Sequence, residues 1–249
     1  DAVPGDIAGQ CVALADRMDT MLGIFAIGQR PSGVKDPFGL RRAALGIIRI
    51  IIENNLSVDM ARLCAMAAEG LADKLDATPF VNEVVEYIFD RLKAYYQDQQ
   101  IRGDIIDAVL ACKPTVLIDL QNRVMAVDEF LLNDSAPALA AANKRISNIL
   151  KKQDGVISSE VDSTLLQEAA ELDLYQKLVQ IEQAAQLHFN DGQYLPGLNA
   201  LAALRPVVDR FFDEVMVMVE DEKLKLNRLA LLNKLAANFL RVADFSRIQ

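Results

Sequence analysis

Apolar side chains recur about every 3.6 residues along almost the whole chain, and almost no segment alternates with a period of two. Asp36 suits a helix N-cap and Pro37 the first helical position, so the apolar stripe from Leu40 to Ile51 predicts a helix that begins there. The same period predicts further helices over 9–27, 58–75, 78–95, 104–112, 117–131, 137–153, 163–189, 196–218 (kinked or restarted at Pro206) and 223–245. The expected fold class is therefore all-α.

A dense group of turn-forming residues interrupts this pattern in the middle of the chain. Asn133, Asp134, Ser135 and Pro137 stand close together there, which predicts a domain boundary with domains over 1–133 and 134–249. The second part consists of long helical segments with short connections, and such connections favour antiparallel neighbours in a helical bundle.

The overall charge limits the classes of partner. The formal net charge is −9, which argues against a chain that coats DNA or RNA without specificity, but it leaves room for a local basic face on an acidic body. The part from 134 onward is the less acidic of the two. No membrane partner is expected, because the most apolar run is interrupted by Arg49 and is too short to span a bilayer.

Candidate catalytic chemistry is scarce. The single histidine, His188, stands at a predicted helix end, where it is expected to cap the helix, and no metal-ligand or phosphate-loop motif is present. Cys11, Cys64 and Cys112 are scattered in apolar surroundings, so we expect them to be reduced and buried. We predict no catalytic residue and no metal site in this chain.

Two predicted helices carry polar stripes in which cations and amides occur without an acid. The first stripe comprises Lys144, Asn148, Lys151 and Lys152, with Arg145 beside them, and the second comprises Asn227, Lys234, Asn238 and Arg241. Cations bind phosphates and asparagine can hydrogen-bond splayed bases, so the stripes could form an RNA-binding face. An ordinary solvated helix face is the alternative.

Three stretches of the chain resemble the β subunit of the bacterial two-subunit glycyl-tRNA synthetase. In chain order they are ALADRMDTMLGIFAIGQRPSGVKDPFGLRRAALGIIRIIIE, AAANKRISNIL and FFDEVMVMVEDEKLKLNRLALLNKLAANFLRVADFSRIQ. Because the resemblance covers essentially the whole chain, and the chain starts at Asp1 instead of Met, we expect it to be a C-terminal fragment of that subunit. The resemblance implies the end of an HD-like helical domain over residues 1 to about 50, a helical body, and a DALR-type anticodon-binding bundle from about residue 134. The HD metal-binding dyad is absent, so phosphohydrolase activity is not expected.

The resemblance also implies partners and a reaction. The family is a cytoplasmic α2β2 glycine–tRNA ligase in which the α subunit activates glycine with ATP and magnesium, while the β subunit mainly binds glycine tRNA. No cofactor is therefore expected in this chain, and DNA is not an expected partner. The alternative is a non-catalytic module that docks the α subunit with little RNA contact.

By position in the related anticodon-binding bundles, the candidate tRNA-binding residues lie on the first and last helices of the second domain. They are Lys144, Arg145, Asn148, Lys151, Lys152, Arg228, Lys234, Asn238 and Arg241. Phe211 and Phe212 are candidates for base stacking, with burial in the core as the alternative. We expect the cationic flanks of the two helices to merge into one continuous surface. Arg41 and Arg42 could contact the α subunit, the tRNA or the acids of a neighbouring helix, and the last is the favoured interpretation.

Overall fold

The computed structural model describes residues 2–31, 35–153 and 155–249, and within these ranges every extended regular element is a helix, which confirms the all-α class. The α-helices are α1 (Ile7–Ala26), α2 (Leu40–Glu53), α3 (Met60–Gly70), α4 (Val81–Asp90), α5 (Leu92–Gln97), α6 (Gly103–Leu110), α7 (Leu117–Phe130), α8 (Ala136–Leu150), α9 (Ala169–Asn190), α10 (Tyr194–Ala202), α11 (Arg205–Glu214) and α12 (Glu222–Leu240). Short 3₁₀ turns cover Thr78–Phe80, Ser163–Leu165 and Phe245–Arg247.

The chain divides into two compact units. The first unit contains Asp1–Ile106 and Pro114–Gln121, and the second unit contains Asp107–Lys113 and Asn122–Gln249. The turn cluster at 133–137 lies inside the second unit, where it covers the end of the connection after α7 and the first residues of α8. The domain boundary at 133/134 stays a prediction.

The start of α2 differs from its prediction. The helix begins at Leu40, and Pro37 lies in a turn before it, because Gly39 adopts a left-handed φ of 67° that a helix cannot contain. Asp36 still caps the helix, since its carboxylate accepts hydrogen bonds from the backbone N–H groups of Leu40 and Arg41, at 2.8 and 3.0 Å. The capping residue was identified correctly, but the helix starts three residues later than expected from the proline.

The first unit has its core between the apolar faces of α1, α2, α3 and α4. Met18, Ile47, Cys64 and Ile88 are each completely buried there. The helix predicted over 78–95 breaks at Arg91, between α4 and α5, and Tyr96 of α5 enters the core. Its hydroxyl donates to Gln121 Oε1 at 2.6 Å.

The second unit is organised around α12, which packs against α8 and α9. Four consecutive α12 residues, Leu229–Leu232, are all buried, so neighbouring elements surround the helix there and it has no continuous solvent face. The helix predicted over 196–218 is divided at residues 203–204 into two helices, α10 and α11. Pro206 lies in the first turn of α11, where proline is tolerated, but it could not continue α10 because it lacks the backbone N–H.

The cysteines are only partly as predicted. Cys64 is buried, and burial raises the pKa of its thiol to about 12, whereas Cys112 is half-buried. Cys11 is exposed, which contradicts the expectation, because it lies on the outer side of α1 between the buried Gln10 and Leu14 positions. No helix in the described ranges is both long enough and apolar enough to cross a membrane.

Candidate nucleic-acid interface

The C-terminal half of α8 presents an exposed group of cations. Leu139, Ala142 and Ile146 bury the inner face of this helix, while Lys144, Arg145, Lys151 and Lys152 at its C-terminal end are exposed. None of these four cations forms an ion pair with any residue in the described ranges. Their charge is therefore available to an external anion.

Part of this group lines an open groove of about 650 Å³, which we call the α8 groove. It is lined by Arg145, Asn148, Ile149, Lys152, Gln153 and Met218. Three of the sequence-predicted candidates, Arg145, Asn148 and Lys152, are thus brought together at one place. Met218, about half exposed, adds an apolar edge that sequence reasoning missed, since the predicted helix over 196–218 ends at Glu214 and leaves Met218 in the connection between α11 and α12.

The two phenylalanines of α11 have different environments. Phe211 is completely buried, so the prediction of base stacking is wrong for this residue, which packs in the core at 5.6 Å from the Phe212 ring. Phe212 is half-buried, and the guanidinium carbon of Arg145 lies 4.2 Å from its ring centroid. This cation–π contact holds Arg145 at the α8 groove and leaves the opposite face of its guanidinium as a stacking surface.

Arg228 of α12 is not on a solvated face, contrary to the expectation. Its side chain is 4% exposed and forms an ion pair with Glu171 of α9, which is 0% exposed. Arg228 also donates to the carbonyl of Met216 at 2.7 Å, and Glu171 accepts from the backbone N–H groups of Gln167 and Glu168 at 2.7 and 3.0 Å. Because every strong polar group of this pair has an internal partner, its role is to join α9 to α12.

The other α12 candidates are also engaged by α9. Lys234 forms an ion pair with Glu182 at 2.7 Å, and Asn238, 4% exposed, donates to Glu182 Oε1 at 3.3 Å. Arg241 donates to Asn190 Oδ1 at 2.9 Å. None of these three residues lines the α8 groove, and Arg228 and Asn238 are buried, so the expected contribution to a single surface is wrong for those two residues. Their partners lie about fifty residues earlier in the chain, and no local pattern reveals such pairings.

The two neighbouring arginines of α2 also differ from each other. Arg41 is half-buried beside Tyr87 of α4, whose pKa is raised mainly by burial. Arg42 is exposed and has no ion pair with the acids of a neighbouring helix within the described part of the chain, so the favoured interpretation is wrong for it.

The remaining candidate chemistry is limited. His188 lies in the last turn of α9, as predicted, and its Nδ1 is 2.9 Å from Gln193 Oε1. Across the described residues, no group of three or more His, Cys, Asp or Glu side chains could hold a metal ion.

Comparison with known proteins first defines the class of the second unit. Residues 139–243 match the family model described as "DALR anticodon binding domain", and both α8 and α12 lie almost wholly within that match. This part of the chain is all-helical and is similar to an anticodon-binding domain.

The particular family follows from the remainder. Residues 1–111 match the family model "Glycyl-tRNA synthetase beta subunit". The whole chain is 51% identical to a glycine–tRNA ligase beta subunit from Glaesserella parasuis serovar 5, 49% identical to one from Mannheimia succiniciproducens, and 47% identical to one from Escherichia coli O139:H28. It spans 36% of the length of each of these relatives. Over its whole length the chain is therefore similar to the glycyl-tRNA synthetase beta-subunit family.

Proposed function

We propose that this chain is the tRNA-binding C-terminal portion of a glycine–tRNA ligase β subunit, and that the α8 groove contacts the anticodon arm of glycine tRNA. The observation that carries this proposal is the group of exposed cations on α8. These cations have no ion pair in the described chain, and three of the groove's lining residues are predicted RNA contacts within the anticodon-binding domain.

The α8 groove and the exposed lysines beside it support different roles for different side chains. Lys144, Lys151 and Lys152 would neutralise phosphates of the RNA backbone, which fixes its position without reading sequence. Arg145, held against Phe212, offers a planar surface on which an unstacked base can lie, and the Asn148 amide has both a donor and an acceptor for a base edge.

The contribution to catalysis would then be positional. We propose that the β subunit holds glycine tRNA so that its acceptor end reaches the α subunit, where glycine, ATP and tRNA yield glycyl-tRNA, AMP and diphosphate. On this proposal ATP and magnesium bind the α subunit, the assembly is the α2β2 tetramer in the cytoplasm, and this chain itself supplies binding contacts. The printed name of the relatives, glycine–tRNA ligase beta subunit, and the anticodon-binding match support tRNA and a second subunit as partners.

The test is the affinity of the full-length β subunit, with its α subunit, for a glycine tRNA transcript at several salt concentrations. The variant Lys151→Glu/Lys152→Glu should weaken binding roughly tenfold or more and lower the slope of log affinity against log salt by about 2, since about one unit is lost with each phosphate contact. The double variant Lys74→Glu/Lys223→Glu is the matched control, because it makes the same charge change at two other exposed lysines.

Gel filtration should show that both double variants still associate with the α subunit. Unchanged tRNA affinity in Lys151→Glu/Lys152→Glu would remove the α8 groove as the interface. An equal loss in the control would show that the effect arises from net charge instead of a specific surface.

A further inference from the structure

The first unit contains a second cationic groove, separate in the chain from the α8 groove. It has a volume of about 370 Å³, and we call it the arginine groove. Arg17 of α1 and Arg42 and Arg49 of α2 supply its charged groups. Its remaining lining residues are Ala2, Val3, Pro4, Leu45, Gly46 and Ile50, none of which carries a charge.

The position of Arg17 depends on the absence of a side chain at Gly46. Gly46 lies in the interior of α2, where glycine is intrinsically unfavourable compared with alanine. A Cβ atom at this position would lie 2.6 Å from Arg17 Nε, closer than van der Waals contact permits. Arg17 is also fixed by a hydrogen bond of 2.8 Å from its Nη1 to the Ala13 carbonyl. The glycine therefore lets the Arg17 guanidinium lie against α2.

The cations of the arginine groove are incompletely neutralised by the protein. Arg49 pairs with Glu53 at 2.6 Å, but neither Arg17 nor Arg42 forms an ion pair with a carboxylate in the described part of the chain. Guanidinium groups that line one groove repel one another unless an anion lies between them. The arrangement fits an external anion with several oxygen atoms.

We propose that the arginine groove binds a phosphate group of the RNA backbone, an inference that rests on the proposed function of RNA binding. The N–H donors of an arginine guanidinium match two phosphate oxygens in a bidentate geometry. The groove is open, so a phosphate within a continuous RNA strand can enter it. The small and apolar residues beside the guanidinium groups leave room for the sugar.

The experiment measures the binding of a glycine tRNA transcript to the full-length β subunit with its α subunit, for Arg17→Gln/Arg42→Gln. We expect affinity to fall by roughly 3- to 10-fold at about 100 mM salt and the salt slope to fall by 1 to 2, as for the loss of one or two phosphate contacts. The matched control is Arg62→Gln/Lys74→Gln, which removes two exposed cations of the same unit outside the groove and should leave binding within twofold.

A second variant tests the groove without a change in charge. Gly46→Ala displaces Arg17 but keeps every cation, so it should also weaken binding, and far-UV circular dichroism checks that the helices remain. Unchanged affinity and salt slope in Arg17→Gln/Arg42→Gln overturns the inference. Loss of α-subunit association in gel filtration with unchanged tRNA affinity also overturns it, because the groove would then accept an acidic protein segment.

Failure of this inference is distinguishable from failure of the proposed function. If Lys151→Glu/Lys152→Glu weakens binding while Arg17→Gln/Arg42→Gln does not, the anticodon-arm interface stands and the arginine groove is not a phosphate site. If only the arginine variants weaken binding, the phosphate site stands and the α8 groove loses its role.

Discussion

Replacement of Arg228 by methionine should destabilise the second unit strongly without removing a tRNA contact. Methionine keeps most of the apolar stem but leaves the completely buried Glu171 carboxylate with only two backbone N–H donors. Breaking a buried ion pair on one side costs about 3–5 kcal/mol, and the Met216 carbonyl loses its donor as well, at about 1 kcal/mol. We therefore expect Arg228→Met to lower the free energy of unfolding by about 4–6 kcal/mol.

Urea unfolding followed by far-UV circular dichroism measures this change. Lys225→Met on the same helix is the matched control, because Lys225 pairs with a largely exposed Glu222 and its loss should cost less than about 1 kcal/mol. The double variant Arg228→Met/Glu171→Gln should recover part of the loss, since it leaves no buried charge. A loss below about 1 kcal/mol in Arg228→Met, or weaker tRNA binding by a fully stable variant, would refute the structural role assigned to Arg228.

Three further predictions follow from single contacts. Gly197→Ala should lower the free energy of unfolding by about 1–2 kcal/mol in a urea titration, because the new Cβ would lie within 3.0 Å of three ring atoms of Phe189; equal stability would contradict the close packing of α9 and α10. The hydrogen bond from Thr115 is the largest cause of a lowered pKa of Asp59, so the unfolded state binds this proton more readily. The stabilisation of the fold by this hydrogen bond is thus complete above the ordinary aspartate pKa near 3.8, and it is lost as the pH falls through the lower pKa of the folded state. The free energy of unfolding, measured across this acid range, should depend less on pH in Thr115→Val. Lys234→Gln should keep tRNA affinity within twofold in filter binding, and a larger loss would return this lysine to the interface.

The helical class follows from sequence periodicity, and so does the inner face of α8. Its charged side chains meet solvent, as an amphipathic pattern predicts, although Asn143 is buried. Leu139 and Ile146 are buried, and the cations Lys144 and Lys152 of the predicted polar stripe are exposed.

The same reasoning fails for α12 for a physical reason. A polar stripe shows which residues need hydrogen-bond partners, but it does not show whether water or another helix supplies them. Asn227 is 6% exposed and exchanges two hydrogen bonds with the backbone of Asp162, at 2.8 and 2.9 Å. Arg228 finds its partner on α9, at Glu171. Such distant partners are fixed by the tertiary fold, which the spacing of residues on one helix does not encode.

The central claim, that the α8 groove rather than α12 meets the anticodon arm, is tested most directly by site-specific photocrosslinking. A photoreactive phenylalanine analogue would replace either Asn148 in the groove or Ala237 on the exposed side of α12 in the full-length subunit with its α partner. We expect position 148 to crosslink to nucleotides of the anticodon arm of glycine tRNA and position 237 to give no such product. Crosslinks to the anticodon arm from position 237 alone, or crosslinks from position 148 only to the acceptor stem, would contradict the account.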